Sequence, residues 1–117
     1  MVAPMARLSI RIDFESSGRL GPGKIALLER IEETGSISAA GKTMGMSYRR
    51  AWELVSDLNE LFDQPLVAAK VGGRKGGGTV LTPFGKAIVK RYRAVEQAAQ
   101  KAAKTHMRAL EAAIRPS

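Results

Sequence analysis

Two helical patterns separated by a tight break lie within residues 35–55, GSISAAGKTMGMSYRRAWELV. Ser36 precedes the first pattern and Ser47 precedes the second. A serine at such a position accepts a backbone N–H bond and therefore favours the start of a helix. The Gly-Met break between the two patterns is so short that the helices must lie against each other. This arrangement predicts a helix-turn-helix motif over residues 36–63.

The two predicted helices differ in length and in pattern. The first, Ile37 to about Met44, contains Gly41, which costs about 1 kcal/mol relative to alanine inside a helix. Such a glycine either permits the close approach of another helix or is simply tolerated. The second, Tyr48 to about Asp63, has one apolar face, and we interpret Trp52 at its edge as a ring that packs the helix onto the core. That face contains Ala51, Leu54, Val55, Leu58, Leu61 and Phe62.

The N-terminal segment predicts a strand followed by a helix. Residues 8–14, LSIRIDF, alternate between apolar and polar side chains, which is typical of a half-buried strand. A polar loop follows, and Pro22 is suited to the first turn of a helix. That helix is predicted from Pro22 to about Thr34, because Gly35 is a typical helix terminator.

The C-terminal half predicts a wing and a long helix. Residues 66–82, LVAAKVGGRKGGGTVLT, indicate two short strands around a glycine-rich tip. Thr82 followed by Pro83 is a strong helix start, and no helix breaker occurs before about Ile114. The predicted fold is mainly α with a small β component. It is a winged helix-turn-helix over residues 1–82, with an N-terminal strand and a long C-terminal helix over residues 83–117.

The last helix is expected to contribute to a homodimer. About 31 residues give a helix roughly 46 Å long, which exceeds the width that a domain of this size covers alone. Part of the apolar stripe must therefore be exposed or meet another chain. The alternative is a frayed, solvated, alanine-rich tail. The predicted dimerisation stripe comprises Ile88, Tyr92, Val95, Ala99, Ala103, Met107, Leu110 and Ile114.

Composition excludes several classes of protein. The chain has 117 residues, no cysteine and one histidine, so disulfides and thiolate metal sites are excluded. No apolar run reaches the roughly 20 residues of a membrane span, and the N-terminus lacks the apolar block of a secretory signal. A single cytoplasmic domain without membrane contact is the expectation.

The positive charge is concentrated in the C-terminal half. Of a net charge of +8, residues 64–82 contribute three cations and no acid, and residues 83–117 contribute eight cations and two acids. A clustered basic excess favours a polyanionic partner, most simply nucleic acid. The alternative is a charge that only maintains solubility.

The charges of the second predicted helix are the reverse of those that stabilise a helix. Arg49 and Arg50 lie in its first turn and acidic residues lie towards its end, whereas the helix dipole favours the opposite placement. In a helix-turn-helix this first turn enters the major groove, where arginines contact phosphates or guanine edges. We therefore predict contacts with double-stranded DNA. The predicted DNA-binding residues are Ser38, Ser47, Tyr48, Arg49, Arg50, Lys70, Arg74 and Lys75.

The sequence gives little support for an enzyme. We find no combination of histidine, carboxylate and nucleophile, and His106 lies between cations on the last helix. The run GGRKGGG lacks the spacing of a phosphate-binding loop and precedes a strand rather than a helix. Neither catalysis nor a cofactor or metal is expected.

The stretches GPGKIALLE, GSISAA and MSYRRAW closely resemble the N-terminal DNA-binding domain of ModE-type molybdate-responsive regulators, over roughly residues 7–95. The chain is more distantly similar to LysR-type regulators. The resemblance implies a bacterial homodimeric regulator, expected to be a repressor, that binds an inverted repeat through Ser47, Tyr48, Arg49, Arg50 and the wing. Full ModE proteins bind molybdate in C-terminal β-barrel domains. No such set of strands occurs before Ser117, so a molybdate response is not carried over, and a separate protein could supply the sensor.

Two alternatives remain open at this point. A nucleoid-type protein would bind DNA through backbone charge with little sequence preference. A winged helix can also serve only as a protein-interaction module, since fold does not determine function.

Overall fold

The structure is a computed structural model that describes residues 5–70 and 78–115. The described residues form four helices and four short strands. In chain order these are β1 (Ile12–Asp13), β2 (Arg19–Leu20), α1 (Pro22–Thr34), α2 (Ile37–Thr43), α3 (Tyr48–Leu61), β3 (Val67–Lys70), β4 (Gly78–Leu81) and α4 (Pro83–Ala113). The fold is mainly α with two small antiparallel sheets, as predicted.

The N-terminal strand is much shorter than predicted. Of the predicted strand at residues 8–14, only β1 is paired with another strand. It pairs antiparallel with β2, a segment predicted as loop. The polar turn between them folds back because Phe14 N–H donates to the Gly18 carbonyl at 2.7 Å. The preceding residues have no neighbouring strand. Residues 6–8 and Ile10 lie beside α4 instead. The predicted alternation of exposure nevertheless holds from Leu8 to Asp13, where Leu8, Ile10 and Ile12 are partly buried and their neighbours are exposed. It fails at Phe14, which is 38 % exposed.

The predicted helix starts are confirmed by side-chain caps. Ser36 Oγ accepts from the N–H of Ala39 at 3.1 Å, and Ser47 Oγ accepts from the N–H of Arg50 at 3.0 Å. Thr82 caps α4 in the same way, with Pro83 at the first helical position. Gly35 ends α1 in the left-handed conformation, with φ of 72°. Satisfying these otherwise unpaired N–H groups is worth about 1 kcal/mol per cap.

One apolar core holds the three short helices and the base of the wing together. The apolar faces of α1 and α3 supply most of it, and β2, β3 and β4 each contribute at their ends. All of the core residues are at most 7 % exposed. They are Leu20, Ile25, Leu27, Leu28, Ile31, Ile37, Ala40, Ala51, Leu54, Val55, Leu58, Leu66, Val67, Leu81 and Tyr92.

Gly41 allows α2 and α3 to pack closely. A Cβ added at Gly41 would lie 2.8 Å from the Cβ of Ala51, well inside normal contact distance. Ala51 is itself fully buried. The close-approach interpretation of Gly41 is therefore confirmed, and it fixes the position of α3 relative to α2.

The wing is a two-stranded hairpin whose second strand is hydrogen-bonded to the start of the helix-turn-helix. Strands β3 and β4 pair antiparallel from Val67↔Leu81 to Lys70↔Gly78. The N–H of Thr79 donates to the Gly35 carbonyl at 2.8 Å, which joins β4 to the turn between α1 and α2. The glycine-rich tip predicted between the strands falls on residues 71–77 and lies outside the described residues.

Asn59 attaches α3 to the start of β3. Its Oδ1 accepts from the N–H of Leu66 at 2.8 Å and from the N–H of Val67 at 3.3 Å. Its Nδ2 donates to the Val67 carbonyl at 3.3 Å. One amide side chain thereby satisfies three backbone groups where the chain leaves the helix, so the wing is held at a fixed place beside α3.

The first part of α4 belongs to the core of its own chain. Tyr92 is 1 % exposed, and its hydroxyl donates to the Ile10 carbonyl at 2.5 Å. Arg93 is bound between Glu29 of α1 and Glu96 of its own helix. Beyond these contacts the helix projects outward, and the longest dimension of the molecule is 56 Å.

The predicted dimerisation stripe is therefore wrong at its beginning. Tyr92 packs against the core of the same chain because it lies opposite the N-terminal segment, and Ile88 is partly buried against that core. The later positions differ. Val95 is 42 % exposed, Leu110 is 65 % exposed and Ile114, just beyond the end of α4, is 56 % exposed.

Candidate nucleic-acid interface

The first turn of α3 projects into solvent while the rest of the helix is anchored. The arginine side chains are 90 % exposed at Arg49 and 57 % exposed at Arg50. Tyr48, at the start of the helix, is 59 % exposed. The opposite face of α3 is buried in the core, so these three side chains stand on a rigid support. This is the geometry that a recognition helix needs in order to enter a groove.

The hydroxyl of Ser47 has a structural role that leaves a further one open. Its oxygen accepts from the N–H of Arg50, which accounts for the cap. A hydroxyl also carries one donor hydrogen, and Ser47 is exposed. It can therefore cap α3 and donate to a phosphate oxygen at the same time.

Glu53 forms an ion pair with each of the two arginines. Its carboxylate lies 3.2 Å from Nε of Arg49 and 3.5 Å from an Nη of Arg50. Pairs this exposed contribute about 0–1 kcal/mol to stability, so they cost little to open. Sequence reasoning assigned no role to Glu53. The spacings of three and four residues from Arg50 and Arg49 were a signal that could have found it.

An aromatic groove lies between α2, α3 and the wing. Tyr48 and Trp52 pack edge to face, with ring centroids 6.1 Å apart. They line a groove of about 270 Å³ together with Ser38 and Thr79. Trp52 is 44 % exposed, so the prediction of a ring packed onto the core was wrong for much of its surface. Its position one turn after Tyr48 places it beside that ring rather than beneath the helix.

The structure brings some of the predicted DNA-binding residues together and leaves others untested. Ser38 and Tyr48 line one groove, and Arg49 and Arg50 share one carboxylate partner. Lys70 is exposed at the end of β3. Arg74 and Lys75 fall outside the described residues.

The resolved pKa shifts lie away from this face, at the junction of α1 and α4. Hydrogen bonds that the Arg93 guanidinium donates to Glu29 and Glu96 raise its pKa, which keeps it charged. Burial, followed by the nearby Glu96 carboxylate, raises the pKa of the Tyr92 hydroxyl. The Arg93 shift reflects the ion pairs that attach α4 to α1, whereas the Tyr92 shift reflects the burial of its hydroxyl beside the N-terminal segment.

Within residues 5–70 and 78–115, no helix combines the length and the apolar character that crossing a membrane requires.

Comparison with known protein families agrees with this geometry. Residues 23–86 match the bacterial regulatory helix-turn-helix proteins of the lysR family. The match extends from α1 through the helix-turn-helix and the wing to the start of α4. The chain belongs to this family.

Individual relatives narrow the class to ModE-like sequences. The chain is 45 % identical over 92 residues to the molybdenum transport protein ModE of Azotobacter vinelandii, covering 79 % of this chain and 33 % of that protein. It is 46 % identical over 81 residues to the molybdenum-pterin-binding protein MopB of Rhodobacter capsulatus, covering 69 % of this chain and 30 % of that protein. It is 41 % identical over 81 residues to the DNA-binding transcriptional dual regulator ModE of Escherichia coli K12, covering 69 % of this chain and 31 % of that protein. The chain thus spans about a third of the length of these relatives.

A solved structure supports the fold. A crystal structure of a LysR family transcriptional regulator superposes with a TM-score of 0.51 at 19 % identity, covering 68 % of this chain and 26 % of that one. At this identity the likeness concerns the fold alone. It agrees with a winged helix-turn-helix followed by a long helix.

Proposed function

We propose that this chain is a sequence-specific DNA-binding transcriptional regulator of the ModE type that acts as a homodimer on an inverted-repeat operator. The observation that carries the proposal is the exposure of Arg49 and Arg50 in the first turn of an otherwise anchored α3. A bidentate arginine–guanine contact contributes about 1–3 kcal/mol of discrimination between bases. The domain boundaries at residues 1–82 and 83–117 are part of the same proposal.

Base recognition and backbone contact are assigned to different elements. Arg49 and Arg50 would contact base edges in the major groove. Lys70 on the wing would contact phosphates, which carry no direct sequence information. Ser38 and Tyr48 line the groove between them and would position the duplex.

The experiment measures the affinity of single alanine variants for the operator and for bulk DNA. Arg49→Ala should weaken operator binding by about 1–3 kcal/mol and relax selectivity at one base position. Lys70→Ala should weaken binding to all sequences alike and reduce the salt slope by about 1. Arg30→Ala, an exposed cation on α1, is the control and should change neither. Identical behaviour of the Arg49 and Lys70 variants would contradict base recognition by Arg49.

Glu53 provides an independent test of the same site. A carboxylate beside the phosphate backbone opposes non-specific binding, and DNA must compete with it for both arginines. Glu53→Gln should therefore raise affinity for bulk DNA more than affinity for the operator. The ratio of the two affinities, measured at one salt concentration, should fall. An unchanged ratio would show that Glu53 does not control the arginines.

The homodimer is proposed from the exposed side of α4. Val95, Leu110 and Ile114 leave apolar surface uncovered along a helix that projects from its own domain. A second copy of the chain, packing its α4 against this side, would cover them and give the two-fold symmetry that an inverted repeat requires.

Sedimentation equilibrium tests the dimer directly. Leu110→Glu should yield monomers that bind the operator weakly. Thr105→Glu adds the same charge at an exposed position of the same helix and should leave the dimer intact. Dimerisation of the Leu110 variant at unchanged affinity would refute this interface.

Several finer points stay predictions. Two of the relatives are named for molybdenum transport and molybdenum-pterin binding, so we propose molybdenum-related genes as targets. Repression and a cytoplasmic location are proposed from the sequence alone. An effector response and a separate sensor protein are not assigned. A nucleoid-type binder or an interaction module remains the alternative, and neither requires a symmetric operator.

A further inference from the structure

We propose that α4 carries a second duplex-binding surface, separate from the recognition helix, which lets one protein hold two DNA segments. The surface consists of Lys90, Lys101, Lys104 and Arg108, which we call the α4 cation stripe. All four side chains are exposed. The inference depends on the function proposed above only for the first DNA segment.

The four cations lie on one side of the helix. At about 100° per residue they fall within about 60° of arc, and Arg108 follows Lys90 by five full turns. Over the same turns, Val95, Ala99 and Ala103 lie on the opposite side. A partner that covers the apolar side therefore leaves the cation stripe exposed.

Among the residues that the structure describes, the stripe has no charged or hydrogen-bonding partner. Across residues 5–70 and 78–115, no salt bridge or side-chain hydrogen bond involves Lys90, Lys101, Lys104 or Arg108. By contrast, Arg93 on the same helix is bound by two carboxylates. Four like charges left together on one side repel one another, and this repulsion is relieved by a polyanion.

The neighbouring N-terminal segment extends the positive surface. A groove of about 570 Å³ between residues 6–8 and α4 is lined by Arg7 together with Lys101, Lys104 and Arg108. The one acid on its lining is Glu111, whose carboxylate accepts from the N–H of Ala6 at 2.7 Å. That hydrogen bond holds the segment, and therefore Arg7, beside the stripe.

The dimensions favour an extended polyanion over a small anion. The stripe is about 27 Å long at about 1.5 Å per residue, and a duplex presents phosphates continuously over that distance. Its cations from Lys101 to Arg108 lie about 12–22 Å along the axis beyond Arg93, where α4 is attached to α1. A duplex on the stripe would thus contact a different part of the molecule from one on α3.

A two-step capture experiment tests the surface. The 117-residue protein is first bound, below saturation, to an immobilised duplex that carries an operator selected by this protein from genomic DNA fragments. After washing, a labelled duplex of unrelated sequence is added, and its retention is measured against salt. The stripe variant is K101Q/K104Q/R108Q, and the charge-matched control is R19Q/R30Q/R91Q, built from exposed cations elsewhere. Circular dichroism checks that both variants fold.

The wild type and the control should retain the second duplex, and the stripe variant should retain much less of it while still binding the first. Each phosphate contact contributes about 0.9 to the slope of log affinity against log salt concentration. Because the stripe variant lacks three such contacts, this slope should become shallower by about 2.7 in the second step. Equal retention by the stripe variant, or equal loss by the control, overturns the proposal. Retention of polyglutamate in place of the duplex also overturns it, because the surface then binds acidic protein.

A third variant separates this proposal from the first. R49A/R50A leaves the stripe unchanged and should still bind duplex at low salt without sequence preference. Adding the three stripe substitutions to it should weaken that residual binding further, because only the wing and Lys90 then remain to contact phosphates. If R49A/R50A keeps full operator selectivity, the proposed function fails while the stripe is tested independently.

Discussion

Replacing Gly41 by alanine tests the contact that fixes the helix-turn-helix. The added methyl would lie 2.8 Å from the Cβ of Ala51, whereas carbon atoms in favourable contact are about 3.5–4.0 Å apart. Since both atoms are attached directly to helix backbones, α2 and α3 must separate by about 0.7 Å or more. Overpacking of this kind costs about 1–3 kcal/mol, against a helix-propensity gain of about 1 kcal/mol.

We therefore expect Gly41→Ala to lower the free energy of unfolding by about 1 kcal/mol, within a range of 0 to 2. Urea denaturation followed by circular dichroism measures it. The matched control is Gly23→Ala in α1, where an added Cβ meets nothing within 4 Å. The control should be neutral or stabilising by up to about 1 kcal/mol. Because the separation displaces α3, operator affinity should also fall for the Gly41 variant and not for the control.

A double-mutant cycle identifies the cause. Ala51→Gly alone should destabilise, since it removes a buried methyl and places glycine in a helix. In the double variant the new methyl of residue 41 occupies the space vacated at residue 51. We expect the double variant to be more stable than the sum of the two single effects predicts, by about 1–3 kcal/mol, the usual cost of overpacking. Additivity within about 0.5 kcal/mol, or a stabilising Gly41→Ala, would refute the close contact.

Two further substitutions test how the wing and α4 are attached. Asn59→Ala leaves the buried N–H groups of Leu66 and Val67 without their acceptor, and should cost about 2–3 kcal/mol in urea unfolding; a cost below about 0.5 kcal/mol would contradict that role. Tyr92→Phe removes the hydrogen bond to Ile10 and should cost about 1 kcal/mol at neutral pH. Burial raises the pKa of the Tyr92 hydroxyl, so the unfolded chain releases this proton first. Wild-type stability should therefore fall as the pH rises past about 10, and Tyr92→Phe should remove that part of the fall.

Much of the fold could be predicted because its determinants are local. Ser36, Ser47 and Thr82 each cap the helix that follows, and Gly35 ends α1, as predicted. Capping depends on residues only three positions apart, so it is visible in the sequence alone. The apolar faces of α1 and α3 follow from helical periodicity for the same reason.

The parts that were missed depend on contacts between distant residues. The apolar stripe of α4 gave no sign that Tyr92 would be bound by Ile10, 82 positions earlier. The alternation of exposure was real for residues 8–13. A strand also needs a neighbouring strand to pair with, however, and residues 6–8 and Ile10 lie beside α4. The role of Asn59 has no local signature, because its partners lie seven and eight positions later, beyond the end of α3.

The candidate interface was predicted in outline. Tyr48, Arg49 and Arg50 are exposed on the first turn of α3, as the reversed charge pattern indicated. The exposure of Trp52 was not foreseen, because a single helical wheel cannot tell which neighbour covers a residue at the edge of its apolar face. The groove it lines depends on how β4 packs beside α2.

The most direct test of the central claim is a selection of genomic DNA fragments by the 117-residue chain, repeated across a salt series and followed by sequencing. If Arg49 and Arg50 recognise bases within a homodimer, a two-fold-symmetric motif should be enriched and should persist at physiological salt. The R49A/R50A variant should lose that motif while keeping binding at low salt. Enrichment of no motif by the wild type, with binding that vanishes at moderate salt, would contradict the account and favour a non-specific binder or an interaction module.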